Sequence, residues 1–156
     1  MSPRLDLAPI DPGGVARGRP GPLADISEGV CRAMAKLYDE IGFEEPWIGY
    51  LAFVEDTAVG TCGFKSAPRG GEVEIAYFTF PGWESRGVAT SMAAELVAVA
   101  RRCGPTIAVT ARTLPERNAS HRVLEKLDFR RTGLVEDPED GTVLEWRLLG
   151  PAGPER

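Results

Sequence analysis

The chain has 156 residues, of which 43% are hydrophobic and 26% are charged, and its formal net charge is −5. This balance is typical of a globular protein in water, and the length suits a single domain over residues 1–156. A negative chain is a poor match for nucleic acid, which is bound by clustered Lys and Arg, and suits a cationic or amine-bearing partner instead. No signal peptide or apolar run of membrane length occurs, so we expect a cytoplasmic protein with no membrane partner.

Cysteine and histidine are scarce, with three and one residues respectively. Cys31, Cys62 and Cys103 fall inside apolar patterns and are odd in number, which indicates reduced core residues and not a disulfide framework. With a single His and no closely spaced pair of Cys, we expect no metal site.

The first half of the chain begins with an irregular arm, residues 1–22, which is rich in Pro and Gly and contains a short apolar alternation typical of a strand. Helical spacing of apolar residues predicts a helix over Asp25–Ile41, and Asp25 with Glu28 resembles a capping box at its start. Three strands are then predicted over Trp47–Glu55, Ala58–Lys65 and Glu72–Phe80.

In the second half, helical and strand patterns alternate before a polar hairpin. The elements predicted are a helix over Val88–Cys103, a short strand over Thr106–Thr110, a helix over Asn118–Leu127, and hairpin strands over Phe129–Val135 and Thr142–Leu148. We expect residues 150–156 to be frayed. The order β-α-β-β-β-α-β-α-β-β predicts an α/β (α+β) fold with a mixed sheet and helices on its faces.

A turn over residues 84–90, Glu-Ser-Arg-Gly-Val-Ala-Thr, joins the strand ending near Phe80 to the next helix. The first N–H groups of a helix have no internal partner, and the helix dipole favours negative charge there. Gly87 allows a close approach of the backbone to a ligand, and Arg86 adds a cation. This turn is therefore predicted to bind a phosphate or pyrophosphate.

Three segments resemble motifs of the GCN5-related N-acetyltransferase (GNAT) superfamily. Residues 84–89 resemble its Gln/Arg-x-x-Gly-x-Gly/Ala motif. Residues 115–129 resemble the block Pro-x-Asn-x-Ala-Ser-x-Arg-Val-Leu-Glu-Lys-x-Gly-Phe of its ribosomal-protein N-terminal acetyltransferase branch, and residues 74–77, Glu-Ile-Ala-Tyr, resemble that branch's Glu-Ile-Gly-Tyr. The resemblance covers about residues 47–147 and implies a mostly antiparallel central sheet of about seven strands with helices on both faces.

The resemblance also implies acetyl-CoA as donor and, as acceptor, a primary amine of a small molecule or of a protein N-terminus. The pyrophosphate would lie on the turn and the pantetheine arm along the end of the fourth strand, beside an opening that Pro81-Gly82 and Pro105 favour. The residues so assigned to the cofactor are Phe78, Thr79, Phe80, Ser85, Arg86, Gly87, Val88, Ala89, Thr90 and Asn118.

Four positions depart from the family pattern. Glu84 stands where Gln or Arg is usual, so its charge would oppose a phosphate, and Arg117 occupies the position of the family's Asn. Asp128 replaces the Gly that ends the helix, although Asp tolerates the left-handed conformation better than most residues. Leu124 lies where many relatives place a Tyr general acid, which leaves that role vacant.

Transfer to an amine needs a base, because an alkylammonium is protonated at neutral pH and cannot attack a thioester. Glu74, which matches the family motif, and Glu72 lie on one face of the same strand and are the candidates, with a solvated strand end or a salt bridge as the alternative for each. Ser120 is a candidate proton donor to the leaving thiolate, or else bonds its own backbone. Asn118 has a sufficient role as a helix N-cap.

Acceptor contacts are the least determined part of the prediction. Trp47 and Tyr38 are candidates for the acceptor pocket, with core packing as the alternative for each. His121 is predicted to be a surface residue. Because the cysteines are expected in the core, we expect direct transfer in a ternary complex without an acyl-enzyme.

A second hypothesis is a non-catalytic module that binds acyl-CoA or docks a partner on the same fold, motivated by the departures at Glu84, Arg117 and Leu124. The sequence leaves the oligomeric state open, with a homodimer as one alternative.

Overall fold

The computed structural model describes residues 4–19 and 21–148, in the predicted order of elements. The strands are β1 (Asp6–Pro9), β2 (Gly49–Val54), β3 (Thr57–Phe64), β4 (Glu72–Thr79), β5 (Ala108–Thr113), β6 (Arg130–Asp137) and β7 (Gly141–Leu148). The helices are α1 (Asp25–Ile41), α2 (Val88–Cys103) and α3 (Ala119–Lys126). The predicted frayed tail, residues 150–156, lies outside the described residues.

All seven strands form one sheet in the order β1-β2-β3-β4-β5-β7-β6. Strands β4 and β5 pair in parallel, and the other neighbouring pairs are antiparallel. The two parallel strands are joined by α2, as a parallel connection requires a crossover. The predicted mixed, mostly antiparallel sheet is confirmed.

Helices cover both faces of this sheet, as predicted. A Cβ placed on Gly49 of β2 would lie 2.6 Å from the Met34 side chain of α1, and one placed on Gly60 of β3 would lie 3.0 Å from that of Met92 in α2. Both helices therefore approach the sheet where the strand has no side chain. Helix α3 lies beside α2, and its His121 ring packs edge-on to Trp146 of β7 at 5.3 Å.

Local structure differs from the prediction near the start of the chain. The N-cap of α1 is Ala24, without a side-chain bond, because the Glu28 carboxylate accepts instead from the backbone N–H of Leu23 at 3.2 Å. The arm is bonded to the body, since Arg17 pairs with Glu45 at 2.7 Å and with Asp11 at 2.8 Å.

Two of the three cysteines are in the core as predicted. Cys31 and Cys62 are buried, and burial raises the pKa of each thiol. The prediction was wrong for Cys103, which is exposed because it ends α2 where the helix leaves the sheet. Within the described ranges, no helix is long and apolar enough to cross a membrane, and no group of three or more His, Cys, Asp or Glu is arranged to hold a metal ion.

Asp128 ends α3 with φ 68°, in the left-handed conformation that its position requires. The N–H of Phe129 then bonds the Leu124 carbonyl at 3.0 Å, which turns the chain into β6. An Asp at this position is thus compatible with the helix end, as the sequence predicted.

Replacing Tyr38 by Phe should destabilise the fold. The Tyr38 hydroxyl donates to the Ile10 carbonyl at 2.9 Å and accepts from the Gly49 N–H at 3.0 Å, and both bonds are buried. Tyr38→Phe leaves two buried backbone groups unpaired, so we expect a loss of about 2–3 kcal/mol in the free energy of unfolding, measured in urea. Tyr50→Phe, which removes one bond to the Pro46 carbonyl, is the matched control and should cost less. Equal losses for the two variants would contradict the role of Tyr38.

Candidate active site

Strands β4 and β5 separate towards their C-terminal ends. Their parallel register runs from Glu72 opposite Ala108 to Ile75 opposite Ala111 and stops there, although β4 continues to Thr79. On its other edge β4 stays paired with β3 as far as Thr79. The backbone of residues 76–79 therefore presents one edge that β5 does not bond, beside an opening between the strands.

The predicted opening is thus present, but Pro105 does not cause it. Pro105 precedes the part of β5 that is paired, whereas the separation follows Ala111. The edge at residues 76–79 suits an extended ligand with amide groups, because a peptide-like chain adds to a sheet edge through backbone hydrogen bonds. Of the residues assigned to the cofactor, Phe78 and Thr79 lie on this edge and Phe80 follows it, buried.

Eight residues separate this edge from helix α2, which begins with unpaired N–H groups. Gly87 is its N-cap with φ 81°, and Ser85 also has a positive φ of 65°. No described side chain caps this end, and the first helical bond runs from the N–H of Ser91 to the Gly87 carbonyl at 3.0 Å. The N–H groups of residues 88–90 precede that bond and remain available to an anion.

The two charged residues of the turn point to different partners. The Glu84 carboxylate accepts from the N–H of Gly82 at 2.8 Å, which ties this charge into the preceding turn. The Arg86 guanidinium lies 4.8 Å from the centre of the Trp83 ring and is exposed. The cation is therefore held on an aromatic face next to the helix N-terminus.

The opening leads into a cavity of about 580 Å³. Its walls come from α1, β3, β4, β5 and the loop between β6 and β7, and most lining residues are apolar. The lining consists of Met34, Leu37, Ile41, Thr61, Cys62, Gly63, Phe64, Lys65, Glu74, Ala76, Tyr77, Phe78, Arg112, Asp137, Pro138 and Glu139. This volume suits a small ligand or the end of a larger one.

The two candidate bases lie in different surroundings. Glu74 lines the cavity, with its carboxylate 3.7 Å from Lys65 Nζ and 3.9 Å from Arg112 Nε. Glu72 is outside the lining and forms an ion pair with Arg147 of β7. Only Glu74 of the two thus meets the cavity.

Arg112, which the sequence analysis missed, joins three carboxylates at one side of the cavity. Its Nη1 lies 3.1 Å from Asp137 Oδ2, while Glu74 and Glu145 each lie 3.9 Å from another guanidinium nitrogen. The side chain was missed because the predicted strand ended at Thr110. Continuing the alternation of β5 by two residues puts Arg112 on the face of Glu74, since Thr110 stands opposite Glu74.

Tyr77 and Ser120 form a pair of hydroxyl groups beside the cavity. Burial raises the pKa of Tyr77 to about 12, an increase that a hydrogen bond with Ser120 partly offsets. Ser120 is in the first turn of α3, where its N–H bonds Oδ1 of the N-cap Asn118 at 2.9 Å. Asn118 therefore has the structural role given as its alternative, and the backbone of Ser120 is bonded locally. The sequence prediction included Tyr77 in the motif of residues 74–77 but assigned it no role in binding or catalysis.

The two aromatic candidates for the acceptor pocket lie away from the cavity lining. Tyr38 is buried and bonds the backbone of two strands, and Trp47 packs edge-on to Phe64 at 5.0 Å. Both have the packing role given as their alternative.

The prediction of a surface His121 was wrong, because this side of α3 faces β7. His121 is 2% exposed, and its Nε2 donates to the Leu114 carbonyl at 3.0 Å.

Residues 11–130 match the family model of the acetyltransferase (GNAT) domain. An uncharacterized N-acetyltransferase, p20 of Bacillus licheniformis, is 26% identical over 121 residues, which span 76% of this chain and 67% of that protein. Among solved structures, RimL, a ribosomal L7/L12 alpha-N-protein acetyltransferase in complex with coenzyme A, superposes with a TM-score of 0.69 over 95% of both chains at 14% identity. YncA, a putative acetyltransferase from Salmonella typhimurium with acetyl-CoA, gives a TM-score of 0.63 over 93% of both chains at 16% identity.

Protonation of Asp137 should release the loop between β6 and β7. Its Oδ1 accepts from the N–H groups of Glu139 at 2.9 Å and Asp140 at 3.1 Å, and these bonds, with that from Arg112, lower the pKa of Asp137. Because the folded-state pKa is lowered, the bonds are fully stable above the ordinary value of about 3.9 and are lost as the pH falls through the lower value. Amide proton shifts of Glu139 and Asp140 in an NMR titration should show this transition, and Asp137→Asn should abolish it. Asp140→Asn is the control that should retain it, and a transition at or above the ordinary value would contradict the bonding.

Proposed function

Because the chain belongs to the GNAT acetyltransferase family, we propose that it transfers an acetyl group from acetyl-CoA to a primary amine of a small molecule or a protein N-terminus. The proposal rests on the observation that three features of the structure adjoin one another. The uncapped N-terminus of α2 adjoins the unbonded edge of β4, and that edge opens into the cavity lined by Glu74. A site for an anion, a site for an extended ligand and the Glu74 carboxylate thus follow one another along a single path.

The residues along this path fit acetyl-CoA from one end to the other. The N–H groups of residues 88–90 and the Arg86 guanidinium would hold the pyrophosphate, and the Glu84 carboxylate bonds the Gly82 N–H of the preceding turn. The amide groups of the pantetheine arm would bond the backbone edge of residues 76–79. The thioester would then lie at the cavity, between Glu74 on one side and Ser120 with Tyr77 on the other.

The reaction we propose is a direct transfer in a ternary complex. Glu74 takes a proton from the acceptor ammonium, directly or through water, and the free amine forms a C–N bond with the acetyl carbonyl carbon. The C–S bond breaks with its electron pair on sulfur. The nitrogen then gives its second proton to the Ser120 hydroxyl, which passes its own proton to the thiolate, so that the amide, the CoA thiol and a neutral Ser120 result. Cys62 is buried with a raised pKa, which makes it a poor nucleophile and disfavours an acyl-enzyme.

Two observations bear on the type of acceptor. RimL is described as acting on ribosomal protein L7/L12, which supports a protein N-terminus as acceptor. The cavity of about 580 Å³ supports a small amine or the first residue of a chain.

Release of CoA thiol tests the proposed reaction. We expect the purified chain to release thiol from acetyl-CoA in the presence of a panel of primary amines and N-terminal peptides, with an acetylated amine as second product by mass spectrometry. Tertiary amines are the control and should give none. Acetyl-CoA binding without turnover across the panel would contradict catalysis and favour the non-catalytic binding module.

Removing the carboxylate of Glu74 should slow the chemical step. Glu74→Gln keeps the side-chain size but cannot take a proton, so we expect kcat to fall about 100-fold with little change in the Kd for acetyl-CoA. Glu72→Gln is the matched control on the same strand face and should stay within about two-fold of the parent, because Glu72 pairs with Arg147 outside the cavity. Steady-state kinetics and calorimetry separate the two effects. Equal kcat values for the two variants would remove Glu74 from the role of base.

Removing the guanidinium of Arg86 should weaken cofactor binding. Arg86 is exposed, so one ion contact to phosphate is worth up to about 1 kcal/mol, and Arg86→Ala should raise the Kd for acetyl-CoA about five-fold at low salt without lowering kcat. Arg69→Ala, an exposed residue before the opposite end of β4, is the charge-matched control. If both variants bind acetyl-CoA like the parent chain, the backbone N–H groups alone hold the pyrophosphate.

A further inference from the structure

Three of the seven large hydrophobic side chains that are exposed in the described part of the chain line the same cavity. Leu37 and Ile41 of α1 are 37% and 49% exposed, and Phe78 of β4 is 53% exposed. Leu37 and Ile41 are four residues apart and so share one face of the helix. Exposed apolar side chains that converge on a concave surface mark a binding site for an apolar group.

The cations at this cavity are already matched by carboxylates. Lys65 pairs with Glu74, and Arg112 lies within ion-pair distance of Glu74, Asp137 and Glu145. Two cations thus face three carboxylates, and Glu139 adds another at the rim. A carboxylate on the acceptor would have to displace an internal partner and would meet repulsion, whereas an ammonium would be attracted.

We propose that the acceptor is a primary amine with an apolar body and no carboxylate beside the amine. This inference rests on the proposed function and narrows its acceptor. The apolar body lies against Leu37, Ile41 and Phe78, and the ammonium points towards Glu74. A free arylalkyl or alkyl amine has this chemistry, and so does a peptide N-terminus with an apolar first residue, whose carbonyl is neutral. A free amino acid does not.

Three ligands with the same aromatic group test whether a carboxylate beside the amine weakens binding. Phenethylamine is a free amine, L-phenylalaninamide imitates a peptide N-terminus, and L-phenylalanine carries the carboxylate. Binding of each to the CoA-saturated protein is measured by calorimetry at low salt. We expect L-phenylalanine to bind at least ten-fold more weakly than L-phenylalaninamide, and equal or tighter binding of L-phenylalanine would overturn the proposal. A preference between the first two ligands identifies the free amine or the N-terminus as source.

Two pairs of matched variants test whether the cavity lining causes this selectivity for the acceptor. Leu37→Ser should weaken phenethylamine binding roughly five-fold by removing apolar contact area, whereas Ile26→Ser, on the same helix, 39% exposed and outside the lining, should not. Glu139→Lys should reduce the discrimination against L-phenylalanine several-fold, and Asp140→Lys, with the same change in net charge outside the lining, should do so less. Equal effects within each pair would contradict the proposed site.

Turnover is measured separately from binding, so the proposed acetyl transfer and the proposed acceptor class can be contradicted independently of each other. Selective binding of phenethylamine without release of CoA thiol supports the acceptor class and contradicts catalysis. Thiol release that is fastest with amino acids bearing a free carboxylate supports catalysis and contradicts the acceptor class.

Discussion

The short parallel pairing of β4 with β5 is the constraint on which the candidate site depends. The two strands bond over four residues each, from Glu72 to Ile75 on β4, and then part while both continue. Since β3 and β7 hold the outer edges of the pair, the separation does not open the sheet elsewhere. It leaves one backbone edge of β4 unbonded inside an otherwise continuous sheet, which is a place for an extended ligand.

The elements around this opening each supply a different kind of group. The chain leaving β4 turns into α2, whose N-terminus brings unpaired N–H groups next to the opening. Helix α3 adds Ser120 near Tyr77 of β4, and α1 adds an apolar wall on the opposite face. Glu74 lies on the part of β4 that pairs with β5, so the proposed base projects from a hydrogen-bonded segment of the strand.

Arg112 connects the proposed base to the loop that closes the cavity. Its guanidinium lies between Glu74 and Asp137, and Asp137 in turn bonds two backbone N–H groups of that loop. One side chain thus lies within ion-pair distance of both Glu74 and the carboxylate that holds the loop. Among the described residues, both cations of the cavity lining, Lys65 and Arg112, thus already face a carboxylate.

The sequence predicted the bounds of the helices and strands more accurately than the contacts between them. The helices over residues 25–41 and 88–103 have their predicted bounds, because helical periodicity and Gly stops are local signals. Strand β5 begins two residues later and extends three residues further than predicted, since Ala111 to Thr113 are held by pairing with β7, more than 30 residues away in sequence. The burial of His121 against Trp146 and the roles of Arg112 and Asp137 depend on that same distant pairing.

Hydrogen exchange with and without acetyl-CoA tests the central claim most directly. If the cofactor adds to the unbonded edge of β4 and to the N-terminus of α2, the backbone N–H groups of residues 76–80 and 87–91 should both gain protection. The paired part of β4, residues 72–75, should change little. Protection confined to the helix N-terminus, or protection that leaves residues 76–80 unchanged, would contradict the account.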